Sequence, residues 1–207
     1  NEESVGQAAA RNLGIDRAEG EILCFLDDDD RYAPRHLAVV AGALRGAGPA
    51  MCYSRIETVL ERVDDSGRHD LARRSAYAPP AFSYPLLQVR SYMPTVSWGI
   101  RTDCLRQTGG FDEVISFMED WELLLRLARQ WDFAQLDEVT AEYRLRESHV
   151  SDSVSKSGHD SKGTMEKIYA RNPSNDAVVV FARKLYQWLV LSGNFAVAAA
   201  QIGRAHV

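Results

Sequence analysis

The chain opens on a helical alternation of apolar and polar positions. Ser4 and Gln7 have the S-x-x-Q spacing of a capping box, Ala8, Ala9 and Leu13 recur at helical spacing, and Gly14 is placed to end the segment. This predicts a helix over residues 5–13. Five apolar residues follow, Ile22-Leu-Cys-Phe-Leu26, bounded by Gly20 and by four aspartates. A continuous run of that length predicts a buried central strand, of the kind parallel sheets use. Pro34 is a good first-turn residue for the next helix, with Leu37, Val40, Ala41 and Leu44 as its apolar stripe and Gly46 as its end. Helix, strand, acidic loop, helix is α/β winding, with the loop at the carboxyl end of a strand, where such sheets bind ligands.

Further on, residues 51–60 read as a strand, with Asp64-Asp-Ser-Gly67 as a turn. Pro79-Pro80 and Pro85 mark an irregular stretch. Residues 95–101 read as a strand, and residues 104–108 as a short helix stopped by Gly109-Gly110. Residues 119–129 form a strong helical pattern that buries Leu123, Leu124 and Leu127. Residues 139–145 read as a strand and 148–163 as a loop rich in Ser, Gly and charge. From about Lys162 the pattern is helical again, broken at Pro173. No internal repeat is visible.

Composition narrows the class. With 207 residues, 45% of them hydrophobic, the chain can bury one core with an appendage. Its net charge of -5 argues against a nucleic-acid partner, which favours a basic surface. Cys24, Cys52 and Cys104 are widely spaced and odd in number, so neither a disulfide framework nor structural zinc is expected. Cys24 reads as a small buried hydrophobe. No apolar run is long enough to cross a bilayer. These features point to a cytoplasmic location, free or peripheral at the inner face of the membrane. Residue 1 is Asn, so the chain is expected to start inside a longer protein.

Three groups carry candidate chemistry. Asp27, Asp28, Asp29 and Asp30 crowd four carboxylates that repel one another, and a hard divalent cation removes that repulsion. A solvated turn that caps the following helix is the plainer alternative. Glu119 and Asp120 stand at a helix start, where acids cap the dipole; a carboxylate there can also serve as a general base. Arg11 can bind a phosphate or a nucleotide base, or simply lie exposed on its helix.

Ala10-Arg11-Asn12-Leu13-Gly14-Ile15, Gly20-Glu21-Ile22 and Phe25-Leu26-Asp27-Asp28-Asp29-Asp30, with Pro34 and Leu37, resemble the core of the family 2 glycosyltransferases of GT-A fold. Gly109-Gly110-Phe111-Asp112-Glu113, Glu119-Asp120-Trp121-Glu122-Leu123 and Arg126 resemble that family's second signature, and Tyr143-Arg144 its last core strand. The resemblance runs to about Ser155. It implies an α/β fold, a Rossmann-like mixed sheet flanked by helices, over residues 1–155, and the helical pattern beyond it makes residues 156–207 a helical extension. It also implies a first βαβ unit that this chain does not show. The implied reaction is an inverting, Mg²⁺- or Mn²⁺-dependent transfer of a sugar from a nucleotide-diphospho-sugar to a hydroxyl of a saccharide or lipid-linked acceptor, as in polysaccharide synthesis. Asp29 and Asp27 would hold the metal, with Asp28 and Asp30 nearby. Asp120 would be the base, Glu119 the next candidate, and Arg11 the nucleotide contact. In many relatives a His follows the Tyr-Arg strand closely; here Arg146 stands near that place and His149 lies later, as a possible further ligand or an exposed loop residue.

Two competing readings stand beside this one. A phosphatase of the haloacid dehalogenase type also places D-x-D after a buried strand, but Asp30-Arg31-Tyr32 is not the continuation it expects, and it leaves Ala10-Arg11-Asn12 and Glu119-Asp120 unexplained. A non-catalytic, metal-binding remnant would bind cations without turnover.

Overall fold

In the computed structural model, residues 6–46, 48–63, 69–115, 117–146 and 161–191 are described. One mixed sheet organises them, in the order β1-β5-β3-β6-β2, with β4 paired to β3 off that path. The strands are β1 (Ile22–Leu23), β2 (Arg31–Tyr32), β3 (Met51–Val63), β4 (His69–Tyr77), β5 (Trp98–Arg101) and β6 (Phe133–Arg146). Helices α1 (Gln7–Arg17), α2 (His36–Ala43), α3 (Tyr84–Leu87), α4 (Thr102–Thr108), α5 (Glu119–Leu127), α6 (Ser161–Arg171) and α7 (Ala177–Leu191) flank it. The β3–β6 pair is parallel and the other pairs are antiparallel.

β3 is the spine of the sheet. Its first residues pair with β5, its outer half with β4, and its other edge with β6 along nearly its whole length. That pairing carries both β3 and β6 beyond the residues 51–60 and 139–145 expected from local pattern. Residues 95–97, expected as strand, instead form a single 3-10 turn after Pro94, closed by the Ser97 hydroxyl donating to the Pro94 carbonyl at 2.6 Å.

Three local expectations are corrected by packing. The apolar run at 22–26 is not a central strand. Among the described residues only Ile22 and Leu23 pair, on one side, with β5. Cys24 packs on Val40, Leu44 and Cys52, Phe25 meets Phe111, and Leu26 is exposed. None of the five residues is fully buried, and length and apolarity leave open which edges pair. Helix α1 does not stop at Gly14. It is preceded by Gly6, without a side-chain cap, and runs on to Arg17; Ser4 and Val5 lie outside the described residues. Arg106 donates to the carbonyls of Ile15 and Ala18, which supports the extra turn. This offsets the roughly 1 kcal/mol a helical glycine costs. The buried face of α2 is His36, Val40 and Leu44, four residues apart, while Leu37 is exposed. His36 stacks on Tyr32 at 3.8 Å and meets the Thr140 hydroxyl at 2.8 Å, so a polar residue takes the place assigned to an apolar one. Val40 seats against Gly99, where a Cβ would come within 2.1 Å of it.

Helices α4 and α5 match expectation closely. Gly109, at φ 91, ends α4 in the left-handed conformation. Leu123, Leu124 and Leu127 are fully buried. Helices α6 and α7, with the break before Ala177, bring Met165, Ile168 and Val190 into the same core as Trp98 and Trp121. The expected turn at 64–67 and nearly all of the loop at 148–163 lie outside the described residues.

Candidate active site

The site is assembled from α1 outward. Ala8 and Ile15 are buried on α1, and Arg11 and Asn12 lie between them at helical spacing, so both polar side chains point inward. Asn12 works as a clamp. Its Oδ1 accepts from the Phe111 N–H at 2.8 Å, and its Nδ2 donates to the Phe111 carbonyl and to Glu113, each at 2.9 Å. Gly110, at φ 65, leaves the room required, since a Cβ there would stand 2.6 Å from the Asn12 oxygen. Arg126 ties the same turn to α5 by donating to the Thr108 and Gly110 carbonyls, each at 2.6 Å, while paired with Glu122.

Arg11 joins the two acidic motifs. Its guanidinium donates to Glu119 at 2.8 Å and to Asp27 at 2.8 Å, and it lies 5.3 Å from the Phe111 ring centre. Arg11 and Glu119 are largely buried, whereas the Asp27 side chain is 39% exposed. Residues 108 apart in sequence therefore share one charge-assisted contact. The residue just before Glu119, Met118, has φ 61, the only positive φ of a non-glycine residue among those described. Backbone held there costs of order 1–3 kcal/mol and is typical of functional turns.

The four aspartates diverge. Pairing of β2 with β6 sets the loop beside Tyr143. Asp30 is buried and accepts from the Arg144 N–H at 2.8 Å; burial still pushes its carboxyl up to about 6, against that hydrogen bond. Asp28 and Asp29 are exposed. Asp120 is half-buried and accepts from the Trp121 N–H at 2.7 Å. Burial, reinforced by the charge of Glu119, pushes it up to about 6. Tyr143 is raised by burial and by the charges of Asp30, Asp29, Asp120 and Asp27, so the acids of both motifs act on this one hydroxyl.

A cleft of about 620 Å³ opens over this group. Arg11, Asp27, Asp30, Glu119, Asp120 and Tyr143 line it, with Arg90 and apolar side chains of β3 and the 93–96 turn on the remaining walls. Asp28 and Asp29 do not line it, and His149 lies outside the described residues. The sequence marks Tyr143 only as part of a strand and does not mark Arg90, because neither belongs to a local acidic or basic motif. Among the described residues no three His, Cys, Asp or Glu side chains converge as a closed metal cage. The exposed Asp28 and Asp29 and the partly exposed Asp27 present carboxylate oxygens of the kind a hard cation takes when phosphates and water complete its shell. Cys24 is half-buried, with its thiol pushed up to about 11 by burial.

The family described as Glycosyl transferase family 2 matches residues 1–113. The Mycobacterium tuberculosis protein named "Pre-mycofactocin glycosyltransferase" is 24% identical over 197 residues, covering 91% of this chain and 40% of that one. The Bacillus subtilis protein named "Uncharacterized glycosyltransferase YwdF" is 28% identical over 130 residues, covering 63% and 47%. The chain thus spans less than half the length of these curated relatives. Among solved structures, S. aureus TarS 1-349 in complex with UDP-GlcNAc superposes with a TM-score of 0.60 at 17% identity, over 91% of this chain and 52% of that one. The complex of the same segment with UDP gives 0.51 at 16% identity, over 72% and 43%. This likeness concerns the fold, a mixed sheet flanked by helices in the GT-A arrangement.

Proposed function

The chain belongs to glycosyl transferase family 2, and from that premise we propose that it carries the catalytic cleft of an inverting transferase that moves a sugar from a nucleotide diphosphate to an acceptor hydroxyl. The observation that carries this reading is the Asp27–Arg11–Glu119 bridge, which sets Asp120 and the aspartate loop on one cleft. The donor is a UDP-sugar by analogy with the TarS complexes, and the acceptor a saccharide or lipid-linked hydroxyl compound.

Asp120 is the base. It takes the proton as the acceptor oxygen bonds to the anomeric carbon and the bond from that carbon to the diphosphate breaks. A carboxyl near 6 is ionised at neutral pH and basic enough for that transfer. Glu119 is the weaker candidate because its carboxylate already accepts from Arg11 in a buried pair. Arg11 faces the nucleotide while keeping Asp27 in place, and Asp28, exposed outside the cleft lining, would meet the donor only at the cleft's edge. Mg²⁺ or Mn²⁺ on Asp29 and Asp27, with His149 as a further ligand, would supply positive charge to the leaving diphosphate.

Membership in the family, together with the fold, disfavours the phosphatase alternative. No helix among the described residues is long and apolar enough to cross a membrane. A cytoplasmic site of action, free or at the inner membrane face, is part of the proposal.

The test is calorimetric titration of the protein with UDP-GlcNAc in Mn²⁺, beside nucleotide release from several sugar nucleotides. Binding should weaken by about tenfold or more with EDTA and, separately, in Asp29→Ala, as loss of a charged contact implies. Undiminished affinity in both would remove the metal assignment, and release from no sugar nucleotide would remove the transferase reading.

A further inference from the structure

One cation on the cleft has no assigned task, and it is not among the charges that act on Asp30 or Asp120. Arg90 is half-buried and lines the cavity. Among the described residues it has no carboxylate partner, and its Nε, shielded from solvent, has no hydrogen-bond partner. Its charge is felt by the Tyr77 hydroxyl, which itself donates to the Tyr92 carbonyl at 2.8 Å. The only other cation among the described lining residues, Arg11, is committed to Asp27 and Glu119.

The cleft is therefore polarised. Asp27, Asp29, Asp30 and Asp120 act on Tyr143 at one end, whereas Arg90 acts on Tyr77, Tyr92 and Tyr186. Much of the remaining lining is apolar, with Ile56, Met93, Val96, Phe117 and Leu145 contributing. An acceptor that is neutral throughout has no use for an unpaired, half-buried guanidinium, and leaving such a charge without a partner is costly. An acceptor with an anionic end uses it fully. The acids repel the anion and Arg90 attracts it, so the opposite end of the molecule, carrying the hydroxyl, is turned toward Asp120.

We propose that Arg90 is a specificity-determining residue of the acceptor subsite, and that the acceptor has an apolar body with a carboxylate or phosphate at the end remote from the reacting hydroxyl. This rests on the transferase reading above.

The test uses small probes on the whole chain, followed by NMR titration: phenyl phosphate, benzoate and, as the neutral counterpart, benzyl alcohol, each with and without UDP and Mn²⁺. Either anion should bind about tenfold or more tightly than benzyl alcohol, the size expected of a charge-assisted contact. Arg90→Gln should abolish that preference and Arg90→Lys should keep most of it. UDP should bind the parent and Arg90→Gln alike and should not displace the aryl anion, which also reports that the variant's cleft is folded. Equal binding of charged and neutral probes, or a preference unchanged in Arg90→Gln, overturns the proposal. Displacement by UDP, or weaker UDP binding in Arg90→Gln, assigns Arg90 to the donor and overturns it too. Failure of UDP to bind the parent at all overturns the transferase reading, and the acceptor assignment with it.

Discussion

The loop at Asp27–Asp30 and the helix start at Glu119–Asp120 are both runs of adjacent acids, yet the fold divides their carboxylates by different means. In the helix, two neighbours are split by one partner. Glu119 turns inward to Arg11, and Asp120 keeps a raised carboxyl on the cleft wall. In the loop, the split follows the chain. Asp27 shares Arg11, Asp30 is buried against the Arg144 N–H, and Asp28 and Asp29 stay in solvent. Crowded carboxylates thus sort into some that hold the structure and others left free for chemistry. A single arginine couples the sorting in the two regions.

The largest effect expected from breaking this arrangement is at Asp120. Asp120→Asn should lower the transfer rate by ~10²–10⁴-fold while leaving donor affinity nearly intact. In the parent, the rate should climb with pH through about 6 as Asp120 loses its proton, and the variant should lack that limb. Steady-state rates over pH 5–8, together with UDP-sugar titrations, measure both. A variant that transfers at close to the parent rate would shift the assignment to Glu119.

Removing the shared partner should come next. Arg11→Met leaves Glu119 buried without its cation, a loss of about 3 kcal/mol by analogy with broken buried pairs. Adding Glu119→Gln should restore part of that stability. Urea unfolding of the three proteins checks it. Equal stability of the single variant and the parent would mean that the bridge contributes nothing.

The smallest effect concerns Asp30. Its folded carboxyl is raised to about 6 from 3.8, so the folded protein binds more protons than the unfolded chain between those values. The associated stability is present in full below the unfolded value and is lost as pH rises through about 6. Asp30→Asn should flatten this slope and gain on the order of 1–3 kcal/mol at pH 8 relative to pH 4. Thermal unfolding at the two pH values would show it, and parallel slopes in parent and variant would contradict it.

Much of this was legible in local pattern. The Gly109-Gly110 stop, the α5 core of Leu123, Leu124 and Leu127, and the break at Pro173 each depend on residues a few positions apart, so spacing alone carries them. The acidic motifs were visible for the same reason, as runs of one charge at the edges of predicted elements. What the sequence by itself determined was therefore the type of most elements and the identity of the acid-bearing segments. The tertiary structure decided the rest. It placed the 22–26 run at the margin of the described sheet, put His36 where Leu37 was expected, and carried α1 past Gly14 on hydrogen bonds from Arg106. It also gave Arg11 to Glu119, and brought Asp120 and Arg90 to the walls of one cleft. Strand pairing, ion-pair partners and the faces of a cleft are contacts between segments far apart in the chain. Local propensity constrains them little, and packing settles them when the whole core closes.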